Sequence, residues 1–138
     1  LQVRAARPHE LGACADLYVE ALRETFTWLP PERHRREDFL RAARDEEIYV
    51  ATQHGVIVGI AGFYRPQNFI HSLYVKCRME GVGSALLAYL AQAADGPLSL
   101  KVQSPNVAAR AFYARRGFQE AEQGQDGDIA WVRLIQAQ

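Results

Sequence analysis

The sequence is poor in the residues that build metal sites and disulfide frameworks. It contains only two cysteines, Cys14 and Cys77, and four histidines, with no CxxC pair and no Cys/His cluster. A metal site is therefore not expected, and neither is a set of disulfides. Reduced thiols are the default for a chain of this kind.

Long hydrophobic runs and an excess of charge of one sign are also lacking. No apolar run approaches the ~18–20 residues that a membrane span needs, and no signal peptide is visible. Lys and Arg together number 16, as do Asp and Glu, so the net charge is zero. Because a basic surface is the electrostatic footprint of nucleic-acid and anionic-membrane binding, we expect neither partner. We expect a cytoplasmic protein.

What is present is the composition of an ordinary globular protein. The chain has 138 residues, of which 49% are hydrophobic and 23% are charged. This length suffices for one real core and fits one domain over residues 1–138.

The spacing of apolar residues predicts an alternation of helices and strands. Apolar residues three and four apart predict helices near residues 8–23, 35–44, 85–94 and 106–116. Strands are predicted at residues 2–5, 48–52, 56–64, 69–75, 98–102, 118–122 and 129–135, with turns at 54–55 and 124–128. Several neighbouring strands are joined by tight turns, so the order predicts a mixed sheet with helices packed on its faces.

Residues 70–87 run from a strand through a glycine-bearing loop into a helix. Gly81 and Gly83 allow close approach of a ligand to the backbone, and the unpaired N–H groups of the helix start form an anion site suited to a pyrophosphate. Arg78 adds a positive charge. The segment is not a P-loop, and Leu86 stands where a dinucleotide fingerprint has its third glycine. The alternative is a tight turn that uses glycine only for its geometry.

Residues 106–118 form a second informative segment. Its pattern consists of an asparagine, a small residue, Phe-Tyr and Gly-Phe, and appears as Asn106, Ala109, Phe112, Tyr113, Gly117 and Phe118. Together with residues 78–83, which match a Gln/Arg-x-x-Gly-x-Gly loop, it strongly resembles the GCN5-related N-acetyltransferase (GNAT) superfamily. The resemblance spans essentially the whole chain. The chain departs from the family in having only Lys76 and Cys77 between Val75 and Arg78.

The resemblance implies a fold and a cofactor. The fold is a mixed, mostly antiparallel α/β (α+β) sheet flanked by helices, in which strands 69–75 and 98–102 lie parallel and splay apart to admit acetyl-CoA. The pyrophosphate would lie on the loop, and the pantetheine would pair with the free edge of the first of these strands. The implied cofactor-binding residues are Leu73, Tyr74, Val75, Arg78, Met79, Glu80, Gly81, Val82, Gly83, Ser84, Asn106, Ala109, Phe112 and Tyr113.

The resemblance also implies direct transfer of an acetyl group from acetyl-CoA to an amine, on a small molecule or an exposed amino group. Tyr113 would be the general acid for the departing thiolate, since a phenol with a pKa of about 10 stays protonated at neutral pH. Packing against Phe112 is its alternative role. His71, with an ordinary pKa of about 6.5, is the candidate base, and a hydrogen-bonded structural histidine is the alternative.

Aromatic residues near the expected site are candidates for acceptor binding. Phe26, Trp28 and Tyr64 are predicted to line an acceptor pocket, with core packing as the alternative. A non-catalytic acyl-CoA-binding module is the alternative function. The exposed edge of the last strands is compatible with a homodimer.

Overall fold

The computed structural model describes residues 1–76 and 81–137, and a seven-stranded sheet forms its centre. The strands are β1 (Gln2–Ala5), β2 (Glu47–Gln53), β3 (Val56–Tyr64), β4 (Phe69–Val75), β5 (Ser99–Gln103), β6 (Phe118–Asp126) and β7 (Ile129–Gln136). Their spatial order is β1-β2-β3-β4-β5-β7-β6. The β4–β5 pair is parallel, and the other described neighbours are antiparallel. The predicted mixed, mostly antiparallel sheet is therefore confirmed.

Within residues 1–76 and 81–137, four α-helices cover the two faces of this sheet. They are α1 (Leu11–Thr25), α2 (Arg36–Ala42), α3 (Val82–Ala93) and α4 (Val107–Ala114). Alternate residues of a strand point to opposite faces, and on β2 Ile48 and Val50 pack with α1 and α2, whereas Tyr49 and Ala51 pack with α3. Because both faces are covered, the central strands are apolar almost throughout.

Most predicted elements end within two residues of the observed ones, and the last hairpin shows the main difference. Strand β6 continues to Asp126, so the predicted turn at residues 124–128 shrinks to residues 127–128. Gly124 pairs with Trp131, and a Cβ at Gly124 would collide with the indole ring. This glycine therefore makes room for an aromatic ring within the ladder and does not form the turn.

The two parallel strands separate soon after they begin. Strand β4 pairs with β5 only at Phe69↔Ser99 and Ile70↔Leu100. On its other edge, β4 stays paired with β3 as far as Val75. The expected splay of the two strands is therefore present, and it leaves one edge of the β4 backbone free beyond Ile70.

A β-bulge lies at the point where the strands separate. Gly62 and Phe63 are consecutive on β3 but pair with Ser72 and Ile70, so His71 is an extra residue on β4. A bulge bends its strand and increases the local twist. The bulge thus accounts for the divergence of β4 from β5 and presents His71 beside the gap.

Candidate functional site

The gap between β4 and β5 opens into two cavities. The first, which we call the α3 cleft, has a volume of about 370 Å³ and lies between the free edge of β4, the start of α3 and helix α4. The second, the α1–α2 cavity, has a volume of about 290 Å³ and lies below helices α1 and α2. Both cavities are lined by Leu73, Tyr74, Asn106, Ala109 and Tyr113. The two spaces therefore meet at the splayed strands.

The α3 cleft brings together most of the predicted cofactor-binding residues. Its lining includes Leu73, Tyr74, Val75, Gly81, Gly83, Ser84, Asn106, Ala109, Phe112 and Tyr113. Val82 is different: its side chain is buried in the core, against Gly59. Arg78, Met79 and Glu80, and with them the short Val75–Arg78 connection, lie outside the described residues.

The start of α3 forms one end of the cleft. Gly81 occupies the N-cap position with φ 82°, a left-handed conformation that favours glycine. Gly83 packs against α4, because a Cβ there would lie 3.3 Å from the Phe112 ring. The N–H groups of the first helical turn have no partner within the helix, and the helix dipole adds partial positive charge. This end of the cleft thus suits an anionic group.

Arg116, which was not among the residues predicted from the sequence, supplies a positive charge beside the same helix start. Its guanidinium lies 3.7 Å from the centre of the Phe112 ring, donates a hydrogen bond to the Ser84 hydroxyl and donates another to the Phe112 carbonyl at 2.9 Å. A cation so close to the first turn of α3 strengthens the anion site. The only signal in the sequence was its position within the second motif, directly before Gly117.

Helix α4 begins at a side-chain cap and carries Tyr113 to the junction of the cavities. The Asn106 side chain accepts a hydrogen bond from the Ala109 N–H at 3.2 Å. Tyr113 is buried, with Phe112 and Phe118 edge-on at 5.1 and 5.3 Å between ring centres. Burial raises the pKa of the Tyr113 hydroxyl, which therefore stays protonated at neutral pH.

The α1–α2 cavity has both aromatic and ionisable walls. Phe26, predicted to contact an acceptor, lines it together with Tyr18 and Phe39. Trp28 and Tyr64 are not among its lining residues. The Trp28 ring is 40% exposed and donates a hydrogen bond from Nε1 to Gln103 Oε1 at 2.9 Å, which ties the segment between α1 and α2 to β5.

Two histidines line this cavity. His34 is buried, its Nε2 has no hydrogen-bond partner among the described residues, and burial lowers its pKa. His71 Nδ1 lies 2.6 Å from Glu46 Oε2. The hydrogen bond to Glu46 raises the pKa of His71, and partial burial opposes that effect. Glu46 was not identified from the sequence, because it precedes β2 as one of several acidic residues in a charged stretch.

Metal and membrane features are absent from the described parts of the chain. Within residues 1–76 and 81–137, no three His, Cys, Asp or Glu side chains cluster as metal ligands would. Over the same residues, no helix has the length and apolar character needed to cross a bilayer.

Comparison with known proteins identifies the family. The model of the family described as Acetyltransferase (GNAT) family matches residues 13–118. No curated protein matches the chain significantly in sequence.

Solved structures match over nearly the whole chain. The ribosomal-protein-alanine N-acetyltransferase of Brucella melitensis is 26% identical, with 99% of each chain covered and a TM-score of 0.73. YjaB of Escherichia coli, in its apo form, is 19% identical over 97% of this chain and 95% of its own, with a TM-score of 0.79. The PaiA N-acetyltransferase of Thermoplasma acidophilum, solved in complex with coenzyme A, is 17% identical over 96% of each chain, with a TM-score of 0.71.

Proposed function

Because this chain belongs to the acetyltransferase (GNAT) family and is a GNAT-type acetyltransferase, we propose that it moves the acetyl group of acetyl-CoA directly to an amine. The observation that carries the proposal is the junction of two cavities at the splayed β4–β5 gap, with Tyr113 lining both. One cavity suits the acetyl donor and the other suits the acceptor. The two substrates would meet at the gap, as direct transfer requires.

The α3 cleft has the chemistry that acetyl-CoA needs. The first-turn N–H groups of α3 and the guanidinium of Arg116 suit the pyrophosphate. The free backbone edge at Leu73–Val75 suits the amides of the pantetheine arm. Gly83 has no side chain, so the Phe112 ring packs directly against the backbone at the start of α3 and the cleft stays open there. Acetyl-CoA bound here would supply the acetyl group as an activated thioester.

Tyr113 has the properties of a general acid. The residue is buried and burial raises the pKa of its hydroxyl, which therefore carries a proton throughout the physiological range. A proton donor beside the sulfur assists departure of the thiolate. A backbone N–H of Tyr74 or Val75 on the free edge of β4 would stabilise the developing oxyanion. In this proposal, His71 accepts the proton of the incoming amine.

The proposal draws further support from two related structures. PaiA of Thermoplasma acidophilum binds coenzyme A, and the enzyme from Brucella melitensis is a ribosomal-protein-alanine N-acetyltransferase. On the basis of the coenzyme A complex of PaiA, we propose that coenzyme A carries the acetyl group in this protein as well. For the acceptor, we propose a small-molecule amine or an exposed amino group.

Binding and turnover test the proposal separately. Acetyl-CoA should raise the melting temperature in a concentration-dependent way. At a free concentration one hundred times its Kd, it should add about 2.7 kcal/mol to the free energy of unfolding. ATP, which has phosphates and adenine but no pantetheine arm, should stabilise much less. Thiol release over a panel of small amines and N-terminal peptides should then identify an acceptor.

Two results would contradict the proposal in different ways. Stabilisation by acetyl-CoA without thiol release on any amine would support a non-catalytic acyl-CoA-binding module. No stabilisation at millimolar acetyl-CoA would overturn the role of the cleft itself.

A further inference from the structure

The His71 ring is held by a carboxylate from a distant part of the chain. We propose that Glu46 is a positioning residue, which orients His71 and fixes its tautomer so that Nε2 accepts the proton of the acceptor amine. The inference rests on the proposed function and deepens it. It assigns a role to a residue that the family motifs do not include.

The geometry of the pair is specific. His71 Nδ1 lies 2.6 Å from Glu46 Oε2, and the Glu46 side chain is only 9% exposed, whereas that of His71 is 54% exposed. Both residues line the α1–α2 cavity. The carboxylate is therefore sheltered behind a ring whose other side is open to the cavity.

The backbone makes room for this arrangement at two places. His71 is the extra residue of the β4 bulge, which releases its side chain from the regular alternation of the strand. On β3, a Cβ at Gly62 would lie 2.7 Å from Glu46 Oε1 and 2.8 Å from Ser72 Oγ. The carboxylate thus occupies space that only a glycine at position 62 leaves free.

Hydrogen-bond chemistry decides which nitrogen is available. An ionised carboxylate only accepts hydrogen bonds, so the proton between the two groups belongs to His71 Nδ1. In the neutral ring, Nε2 then holds the free lone pair. A carboxylate behind the ring also stabilises the imidazolium that forms when Nε2 takes up a proton. This is the arrangement that a general base needs.

Other ionisable groups face the same cavity from every element around it. They are Tyr18 of α1, His34 between α1 and α2, Asp38 of α2, Tyr74 of β4, Lys101 of β5 and Tyr113 of α4. The raised pKa of His71 comes first from the hydrogen bond to Glu46 and then from its charge, with partial burial acting against both. Glu46 is therefore the group whose removal should move the titration of His71.

The proposed step is balanced in protons and bonds. The acceptor ammonium loses a proton to His71 Nε2, and the resulting amine nitrogen forms a bond to the acetyl carbon while the carbon–sulfur bond breaks. The sulfur takes the proton of the Tyr113 hydroxyl. The nitrogen, now bonded to the acetyl carbon, loses its second proton through water to the Tyr113 oxygen, which restores the phenol and leaves a neutral amide. His71 then releases its proton to the solvent.

The variant Glu46→Gln removes the charge but keeps the size and a hydrogen-bond acceptor. His71 must be neutral to act as a base, so activity rises with pH through its pKa. Because Glu46 raises the pKa of His71, the variant should shift the acidic limb of the pH profile of kcat/KM to lower pH. Its plateau kcat should fall roughly tenfold, because a less basic imidazole is a weaker base. Affinity for acetyl-CoA should be unchanged.

The neighbouring Glu47 offers a matched control. It forms an ion pair with Arg65 at 2.6 Å and accepts a hydrogen bond from Tyr49, and it does not line the cavity. Glu47→Gln should lower stability without moving the acidic limb. Gly62→Ala, which displaces the Glu46 carboxylate without removing it, should reproduce the shift of Glu46→Gln.

The tautomer of His71 is measured independently of turnover by long-range ¹H–¹⁵N correlation NMR. In the wild type the neutral ring should carry its proton on Nδ1, and in Glu46→Ala this preference should be lost. An active wild type whose acidic limb is unmoved by Glu46→Gln would overturn the role of Glu46 and leave the acetyltransferase proposal standing. A neutral wild-type ring protonated on Nε2 would also overturn it. A wild type without turnover on any amine would overturn the proposed function itself.

Discussion

Tyr113 lies where the two cavities meet, and in the proposed mechanism its hydroxyl donates the proton to the departing thiolate. The ring packs between Phe112 and Phe118, and this packing does not involve the hydroxyl. Removal of the hydroxyl oxygen alone therefore tests the proposed proton donation without disturbing the ring packing.

We expect Tyr113→Phe to lower kcat roughly a hundredfold, because general acid catalysis contributes about 10²–10⁴-fold. The melting temperature and the Kd for acetyl-CoA should change little, since the ring remains. Steady-state thiol release and a thermal-shift titration measure the two effects. Tyr89→Phe on α3, where the tyrosine is partly exposed and packs beside Tyr49, is the matched control. Equal kcat values for Tyr113→Phe and the wild type would remove Tyr113 from its proposed role.

Arg116 lines the same cleft, and we propose that its charge attracts the pyrophosphate. It follows α4, lies over the Phe112 ring of that helix, and donates a hydrogen bond to Ser84 in the first turn of α3. Arg116→Gln keeps a polar side chain of similar reach and removes the charge. We expect the Kd for acetyl-CoA to rise roughly twofold to fivefold, the range for an exposed ion pair, with kcat retained.

The effect of Arg116→Gln should diminish with increasing salt, because salt screens exposed charges. Calorimetric titration at low and high salt would measure this dependence. Arg115→Gln, one residue earlier, provides the control. Unchanged affinity at low salt would show that Arg116 has no part in the anion site.

At the scale of elements, an ion pair connects β1 to the turn before α1. Arg4 donates from Nη1 and Nη2 to the two carboxylate oxygens of Glu10, each at 2.8 Å, and the Arg7 N–H donates to the same carboxylate. These contacts lower the pKa of Glu10 from its usual 4.5 to about 2, with the Arg4 hydrogen bond as the largest cause. The first strand and the first helix are thereby held together near the chain start.

Glu10→Gln should lower the stability at pH 7, and the difference from the wild type should depend on pH. A lowered folded-state pKa contributes stability above the unfolded pKa, and that contribution is lost as pH falls through the folded value. The difference should thus be constant above about pH 5.5, shrink between pH 4.5 and 2, and vanish below. Urea unfolding at a series of pH values measures it. A difference that stays the same down to pH 2 would contradict the proposed ionic contribution.

The two predicted hairpin turns show when a local sequence pattern is sufficient to predict the end of a strand. The tight turn at residues 54–55 was predicted, and both residues have positive φ, 52° at His54 and 78° at Gly55. The glycine at position 124 was misassigned to a turn, since a glycine serves equally well to admit a neighbouring ring. The turn at residues 54–55 depends on backbone dihedrals alone, whereas the role of Gly124 depends on which residue of the partner strand lies opposite it.

For the whole molecule, the sequence alone was sufficient to predict the family and the fold class. Both are encoded in local signals: alternation of apolar residues with a period of two or near 3.6, glycines at turns, and two motifs in a set order. The motifs also predicted a set of cofactor-binding residues, and those in the described regions mostly line the α3 cleft. Their roles, with those of Tyr113 and His71, stay predictions.

The acceptor side depended on tertiary structure. Trp28 and Tyr64 were expected to line a pocket with Phe26, yet only Phe26 lines the α1–α2 cavity. Glu46 and Arg116 became candidates only when distant segments were placed beside the site. The β4 bulge and the length of the β4–β5 pairing were likewise set by strand partners. Local patterns determine dihedrals and buried faces, but contacts between distant side chains form only when the sheet and helices pack together.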